Sequence, residues 1–212
     1  NEKPVTTEIA SGKKIGAIMP VYVLGGFIDV DKLVEISATY GIPLIEDSTE
    51  ALGSFKNGEH AGTFGLTGVL SFNGNKILTT GGGGALVTDD EEFATFARHL
   101  ATTAKETHQW ESSHDQIGFN YRMPSLNAAL GCAQLQRFES IRNAKRKLAE
   151  QYREVVKDTP LTWVDEPEFA ESNFWLNTVI CNSYEQREAL LGKAAQLRIQ
   201  MRPVWKLLSE NT

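Results

Sequence analysis

Ser71-Phe72-Asn73-Gly74-Asn75-Lys76 fixes the fold class of this 212-residue chain. The apolar run Gly68 to Phe72 that leads into it reads as a buried strand, and the glycine block Gly81 to Gly84 follows closely. Upstream, Pro43-Leu44-Ile45-Glu46-Asp47 is a second short apolar run, ending in acid. Gly16 to Leu24 reads as another buried strand; its Pro20 lacks an N–H and is expected at the C-terminal end, where the chain turns off. Gly83 to Thr88 reads as a fourth strand. Between the first two strands, Asp29 to Tyr40 has helical spacing through Val30, Leu33, Val34 and Ala38, stopped by Gly41. Short buried strands separated by a helix or a long connection predict an α/β fold with a mostly parallel sheet.

Beyond the fourth strand, Asp89 with Glu92 three residues on predicts a capping box opening a helix with Phe93, Phe96, Ala97 and Leu100 on one side. Thr102 to Met123 has no sustained period, and a connection of that length is more often functional than idle. Pro124 then opens a long helical pattern through Leu126, Leu130, Ala133, Phe138, Ile141, Leu148 and Tyr152 to about Val156. After Pro160 the expected elements are a strand Leu161 to Val164, a strand Phe174 to Cys181, a helix capped by Ser183 with Gln186, and a third strand Arg198 to Trp205. The expected domains are residues 1–123, a connecting helix 124–157, and a small α+β domain 158–212.

Composition narrows the functional classes. Hydrophobic residues make up 41% and charged residues 23%, the balance of a folded globular protein. A net charge of −6 with no face-sized basic run argues against nucleic acid as partner. No apolar run reaches the roughly 18 residues that cross a bilayer, and the N-terminus is not signal-like, so a cytoplasmic location is expected. Cys132 and Cys181 lie in apolar stretches and read as buried thiols, and four scattered histidines have no metal-ligand spacing, so no metal is expected.

A lysine and an aspartate beyond the ends of neighbouring buried strands are the minimum apparatus for pyridoxal phosphate. The Lys76 amine can form a Schiff base with its aldehyde, and the Asp47 carboxylate can keep its ring nitrogen protonated. Ser71 offers a hydroxyl for the phosphate, and Gly81 to Gly84 permit positive φ and close backbone approach. Each feature also has an ordinary reading: a solvated loop lysine, a capping aspartate, a glycine turn. The ordered set carries the argument.

That set extends through Ile45-Glu46-Asp47-Ser48-Thr49-Glu50-Ala51-Leu52-Gly53 and Gly62-Thr63-Phe64-Gly65. It continues through Gly118-Phe119-Asn120-Tyr121-Arg122-Met123, Leu126-Asn127-Ala128-Ala129-Leu130-Gly131 and Gln134-Leu135. In this order it resembles the DegT/DnrJ/EryC1/StrS family of pyridoxal-phosphate sugar aminotransferases, from about Lys14 to Pro203. Ser71 to Lys76 with the four glycines is most similar to the branch that aminates nucleotide-linked 4-keto-6-deoxy sugars toward legionaminic acid. The resemblance implies fold type I of the pyridoxal-phosphate transferases (aspartate aminotransferase-like), with part of a small C-terminal α+β domain. It places Lys76 on the Schiff-base lysine, Asp47 on the pyridinium-pairing aspartate, Glu50 near the ring and Ser71 on the phosphate-binding serine. Asn73 departs from the histidine common elsewhere in the family but agrees with the legionaminic-type branch, and Tyr22 stands where a histidine is frequent. Asn120 falls on an asparagine offered to the neighbouring subunit's cofactor phosphate, which implies a homodimer with shared active sites.

Relative to the family the chain enters at the strand before Asp47, without the N-terminal portion that stacks on the cofactor, and stops short of the C-terminal end. It is therefore expected to be a fragment. The implied activity is transfer of an amino group, with glutamate the expected donor, to a nucleotide-sugar ketone for a bacterial surface polysaccharide. Two alternatives stand beside it. Related sugar dehydratases replace the lysine with histidine, which Lys76 argues against. A truncated member could instead persist as an inactive binding or regulatory module.

Overall fold

The computed structural model describes residues 6–210. Contacts divide the chain into two compact units: the first runs through Ala149 and takes in Glu166–Asn177, and the second comprises Glu150–Asp165 and the chain from Thr178 onward. The segment Glu166–Asn177 thus returns to the first unit before the chain resumes the second.

The first unit is built on three strands: β1 (Ile45–Asp47), β4 (Thr67–Ser71) and β5 (Gly84–Val87). Between β1 and β4 lies the short antiparallel pair β2 (Phe55–Lys56) and β3 (Glu59–His60). β1 runs parallel to β4 with Asp47 opposite Val69, whereas β5 returns antiparallel with Gly84 opposite Ser71. The glycine-led return makes this sheet mixed rather than mostly parallel.

On the free edge of β1 the chain from Ile18 to Tyr22 follows a parallel path without forming a regular strand. Ile18 donates to Pro43 and accepts from Ile45, Pro20 accepts from Asp47, and Tyr22 donates back to Asp47, all at 2.9–3.0 Å. Pro20 therefore sits in the middle of this path and not at its end. It cannot supply the donor due to Ile45's carbonyl, so the ladder is reduced to separate bridges at Ile18–Leu44 and Val21–Asp47.

Helix α1 (Val30–Tyr40) ends where Gly41 turns left-handed at φ 65° and donates to Ser37's carbonyl. Its Val30 joins Tyr22, Phe27, Leu44, Ala51, Ala61 and Ala170 in the core, with Leu33, Val34 and Phe64 packed around them. Helix α2 (Glu91–Ala101) is capped by Asp90, whose carboxylate accepts from Phe93 N at 2.8 Å. The cap is thus one residue later than Asp89, and Glu92 falls inside the first turn.

The long helical pattern is two helices, α3 (Ser125–Leu135) and α4 (Phe138–Lys157), with Pro124 as N-cap. They separate because they are tied to different loops. On α3, Asn127 donates to Thr80's carbonyl at 2.6 Å and Gln134 accepts from Thr79 N at 3.1 Å. On α4, Arg142 Nε donates to Gly53's carbonyl at 2.6 Å, and Phe138 lies so close to Gly53 that a Cβ there would be 2.6 Å from its ring.

Of the later elements, β6 (Thr162–Trp163) pairs antiparallel with β8 (Val179–Ile180), while β7 (Ala170–Glu171) adds to β2 in the first unit. The expected strand Phe174 to Cys181 exists only at its end, as β8. Helix α5 (Tyr184–Gln196) has the predicted cap, with Ser183 accepting from Gln186 N at 3.2 Å. Arg198 to Trp205 is irregular and exposed, not a strand. No helix among the described residues is long and apolar enough to cross a membrane.

Candidate active site

β1 and β4 end side by side, and the chemistry gathers beyond those two ends. Open α/β sheets place sites there because strand ends present side chains and loops away from the packed faces. Asp47 is the last residue of β1 and half-buried; its carboxylate accepts from Thr49 N at 3.2 Å, turning the chain into Glu50. Glu50 divides its two oxygens. Oε2 accepts from the backbone N–H of Leu24 at 2.7 Å, and Oε1 lies 3.4 Å from the Lys76 amine. Leu24 holds a left-handed backbone, φ 62°, that aims its N–H at this carboxylate.

Lys76 follows β4 on a tight turn in which its N–H donates to Asn73's carbonyl at 3.1 Å. Its side chain is only 13% exposed, and its ammonium lies 4.4 Å from the centre of the Trp175 ring. A cation over an indole face contributes about 0.5–2 kcal/mol, more as water is excluded. Trp175 is held from three sides. Its indole N–H donates to Asn75's carbonyl at 2.8 Å, its backbone N–H to Asn173 Oδ1 at 2.7 Å, and its carbonyl accepts from Lys145 at 2.9 Å. Partial burial lowers the pKa of the Lys145 amine.

Asn173 is the knot behind the site. Its amide donates to the carbonyls of Glu50 and Leu52 at 2.8 and 2.9 Å, and its backbone N–H donates to Ser54 Oγ at 3.0 Å. Gly25, at φ +84°, closes against the same side chain, and a Cβ there would overlap Asn173's amide oxygen. The Glu50 turn, the Gly25 turn and Trp175 are thereby fixed relative to one another.

Glu46, on the opposite face of β1 from Asp47, is fully buried and accepts four hydrogen bonds. Oε2 takes Tyr22's hydroxyl at 2.5 Å and Gly62 N at 2.9 Å; Oε1 takes Phe64 N and Gly65 N, both at 2.7 Å. Those donors neutralise an otherwise prohibitive buried charge and pin the 62–65 loop against β1. Burial, then the bond to Glu46, raises the Tyr22 phenol well above its usual range. Nearby, burial lowers His60 below its ordinary pKa, which suits its Nε2 as the acceptor of Gly53 N at 2.8 Å.

The structure thus joins Lys76 directly to Glu50 and sets Asp47 at the head of the same turn. Ser71 ends β4, and its hydroxyl accepts from Asn73 N at 3.3 Å; Asn73 is exposed and accepts from Gly74 N at 2.9 Å. Both lie at the base of the lysine loop. Gly81 and Gly83 take positive φ to turn the chain back into β5, while a Cβ on Gly82 would meet open space. The glycine block is therefore both a turn and an open floor. Asn120 is exposed and pairs with Thr102, in the connection after α2. Sequence reasoning did not single out Trp175, Asn173, Lys145 or the buried role of Glu46. Trp175 lies inside the run Phe174 to Cys181 that reads as a strand, and Asn173 lies just ahead of it, although Ser172-Asn173 before two aromatics is an available signal.

The chain belongs to the DegT/DnrJ/EryC1/StrS aminotransferase family, whose model matches residues 2–211. It is 35% identical over 193 residues to EpsN of Bacillus subtilis (strain 168), a protein named for pyridoxal phosphate-dependent aminotransferase activity, covering 91% of this chain and 50% of that one. It is 33% identical over 192 residues to the GDP-perosamine synthase of Escherichia coli O157:H7, covering 91% and 52%. Among solved structures, Helicobacter pylori PseC, an aminotransferase of pseudoaminic acid biosynthesis, matches with a TM-score of 0.81 at 25% identity, covering 85% of this chain and 50% of that chain. The chain spans about half the length of the curated relatives it matches.

Proposed function

We propose that this chain carries the lysine and the ring-pairing acid of a pyridoxal phosphate-dependent aminotransferase acting on a nucleotide-linked 4-keto-6-deoxy sugar, with glutamate as amino donor. The observation that carries the reading is the meeting of Lys76 and Glu50 beyond the paired ends of β1 and β4, with Asp47 closing β1. One amine, two carboxylates and the Ser71 hydroxyl form a donor set that fits the cofactor's aldehyde, ring nitrogen and phosphate. When bound, pyridoxal phosphate supplies the aldehyde and the electron-accepting ring.

The chain's own residues do the rest. Lys76 Nζ would hold the cofactor's aldehyde carbon, and its amine, when free, would be the base placed to take up and return a proton. Asp47 would hold the proton on the ring nitrogen by direct charge pairing. Glu50 receives the lysine amine and keeps it aimed, while Trp175 covers it from water. Ser71 is assigned to the phosphate, Asn73 to the cofactor-binding surface beside it, and exposed Asn120 to the partner subunit's cofactor phosphate in a homodimer. Asn73 and the four glycines favour the legionaminic-type branch of the family.

The test is spectroscopic. Mixed with pyridoxal phosphate, the protein should develop the visible band of lysine-bound cofactor, and borohydride should leave the cofactor's mass on the Lys76 peptide. Lys76→Ala should do neither. A wild-type chain without band or adduct would favour the inactive-module reading.

A further inference from the structure

We infer that Trp175 is the positioning residue for Lys76: its ring holds the amine toward Glu50, and its indole N–H fixes the backbone from which the lysine springs. The inference rests on the reading of Lys76 as the cofactor lysine, but its evidence is separate. Trp175 is 3% exposed, and its two polar handles and its carbonyl are all used. The bond to Asn75's carbonyl grips the residue immediately before Lys76, across a sequence separation of 100 residues. The ring face then meets the far end of the same side chain at 4.4 Å. One aromatic residue therefore restrains the lysine at its root and at its tip.

The arrangement also explains why the amine needs a second support. The Glu50 contact at 3.4 Å is long for a charge-assisted hydrogen bond, whose usual length is about 2.7–2.9 Å. Glu50's other oxygen is committed to Leu24 N. With a carboxylate on one side and a π face on the other, the lysine is confined without a short bond that must be broken when it moves. Lys145 acts one step further out. Its bond to Trp175's carbonyl ties the aromatic to α4, and Asn173 ties it to the Glu50 turn.

The experiment reads Lys76 itself, in the protein without added cofactor. Acylation by acetic anhydride at fixed pH is followed by peptide mass spectrometry, with the exposed Lys32 as internal standard. Trp175→Leu and Trp175→Met each keep apolar volume but remove the π face. Each should raise the Lys76 rate by about five-fold relative to Lys32, the factor an ordinary cation–π contact represents. Trp175→Phe keeps a ring but loses the indole N–H to Asn75, and should fall between wild type and the Leu and Met variants. Unchanged rates in the Leu and Met variants, or a rise in Phe larger than theirs, would overturn the inference.

A wild-type measurement guards against variants that fail to fold. After reductive methylation with an isotope-labelled methyl donor, the Lys76 methyl resonance, assigned by its loss in Lys76→Arg, should lie upfield of the other lysines through the indole ring current. A resonance at the position of exposed lysines would also defeat the proposal. Failure of the cofactor band with intact Trp175 dependence would instead remove the functional reading and leave this contact standing.

Discussion

Glu46→Gln is a near-isosteric change whose cost can be worked out from the four bonds at that carboxylate. Glutamine keeps one acceptor oxygen and replaces the other with an NH2 that must face two N–H or O–H donors. The Oε2 pair, Tyr22 and Gly62, is buried, whereas the Oε1 pair, Phe64 and Gly65, is partly reached by water. The amide will therefore turn its NH2 toward Phe64 and Gly65. Two hydrogen bonds to a charged acceptor are lost, at roughly 1.5–3 kcal/mol each, so the loss is about 3–6 kcal/mol. Access of water to the abandoned N–H groups favours the lower end, about 3 kcal/mol. That is a large share of the roughly 5–15 kcal/mol that holds a domain together. Urea unfolding followed by far-UV circular dichroism measures it directly, as a fall in midpoint at unchanged slope. Tyr22→Phe removes one donor and leaves the carboxylate three, for about 1.5 kcal/mol. A Glu46→Gln loss below about 1 kcal/mol, or one no larger than that of Tyr22→Phe, would refute the idea that this carboxylate pins the 62–65 loop.

Two further outcomes follow from single contacts. Because the folded protein holds His60 below its ordinary pKa of about 6.5, the unfolded chain binds more protons in acid. His60 therefore contributes stability that is present above about pH 6.5 and is lost as pH falls; His60→Gln should flatten that part of the stability–pH curve, and a parallel curve would contradict the assignment. Gly25→Ala places a methyl against Asn173 at a left-handed φ, and should lower stability by about 2–4 kcal/mol in urea melts, through backbone strain and overpacking. A neutral result would show that the Gly25 turn and Asn173 are not in register.

The parts of the fold legible in sequence were those set by local chemistry. Gly41 stops α1 because it can turn left-handed, Ser183 caps α5, and short apolar runs ending at Asp47 and Ser71 mark strands whose ends carry the site. What escaped depended on distant partners. A continuous apolar period from Leu126 to Tyr152 cannot reveal that α3 is tied to Thr79 and Thr80 and α4 to Gly53. The antiparallel return of β5 is set by the glycine turn, which the strand's own apolar pattern does not report. Phe174 and Trp175 are as apolar as strand residues, but Asn173 spends its side chain on the Glu50 turn, so the segment packs as a loop. Of the candidate site, Lys76, Asp47 and Glu50 were readable from motif order; the aromatic that covers the lysine was not.

The bond between Trp175 and Asn75 spans 100 residues, and that interval has a temporal meaning on the ribosome. At roughly 5–20 residues per second, the lysine leaves the polymerising centre about 5–20 seconds before its aromatic cover is synthesised. Through that interval the lysine has no indole over it, so its covered state belongs only to a chain made past Trp175.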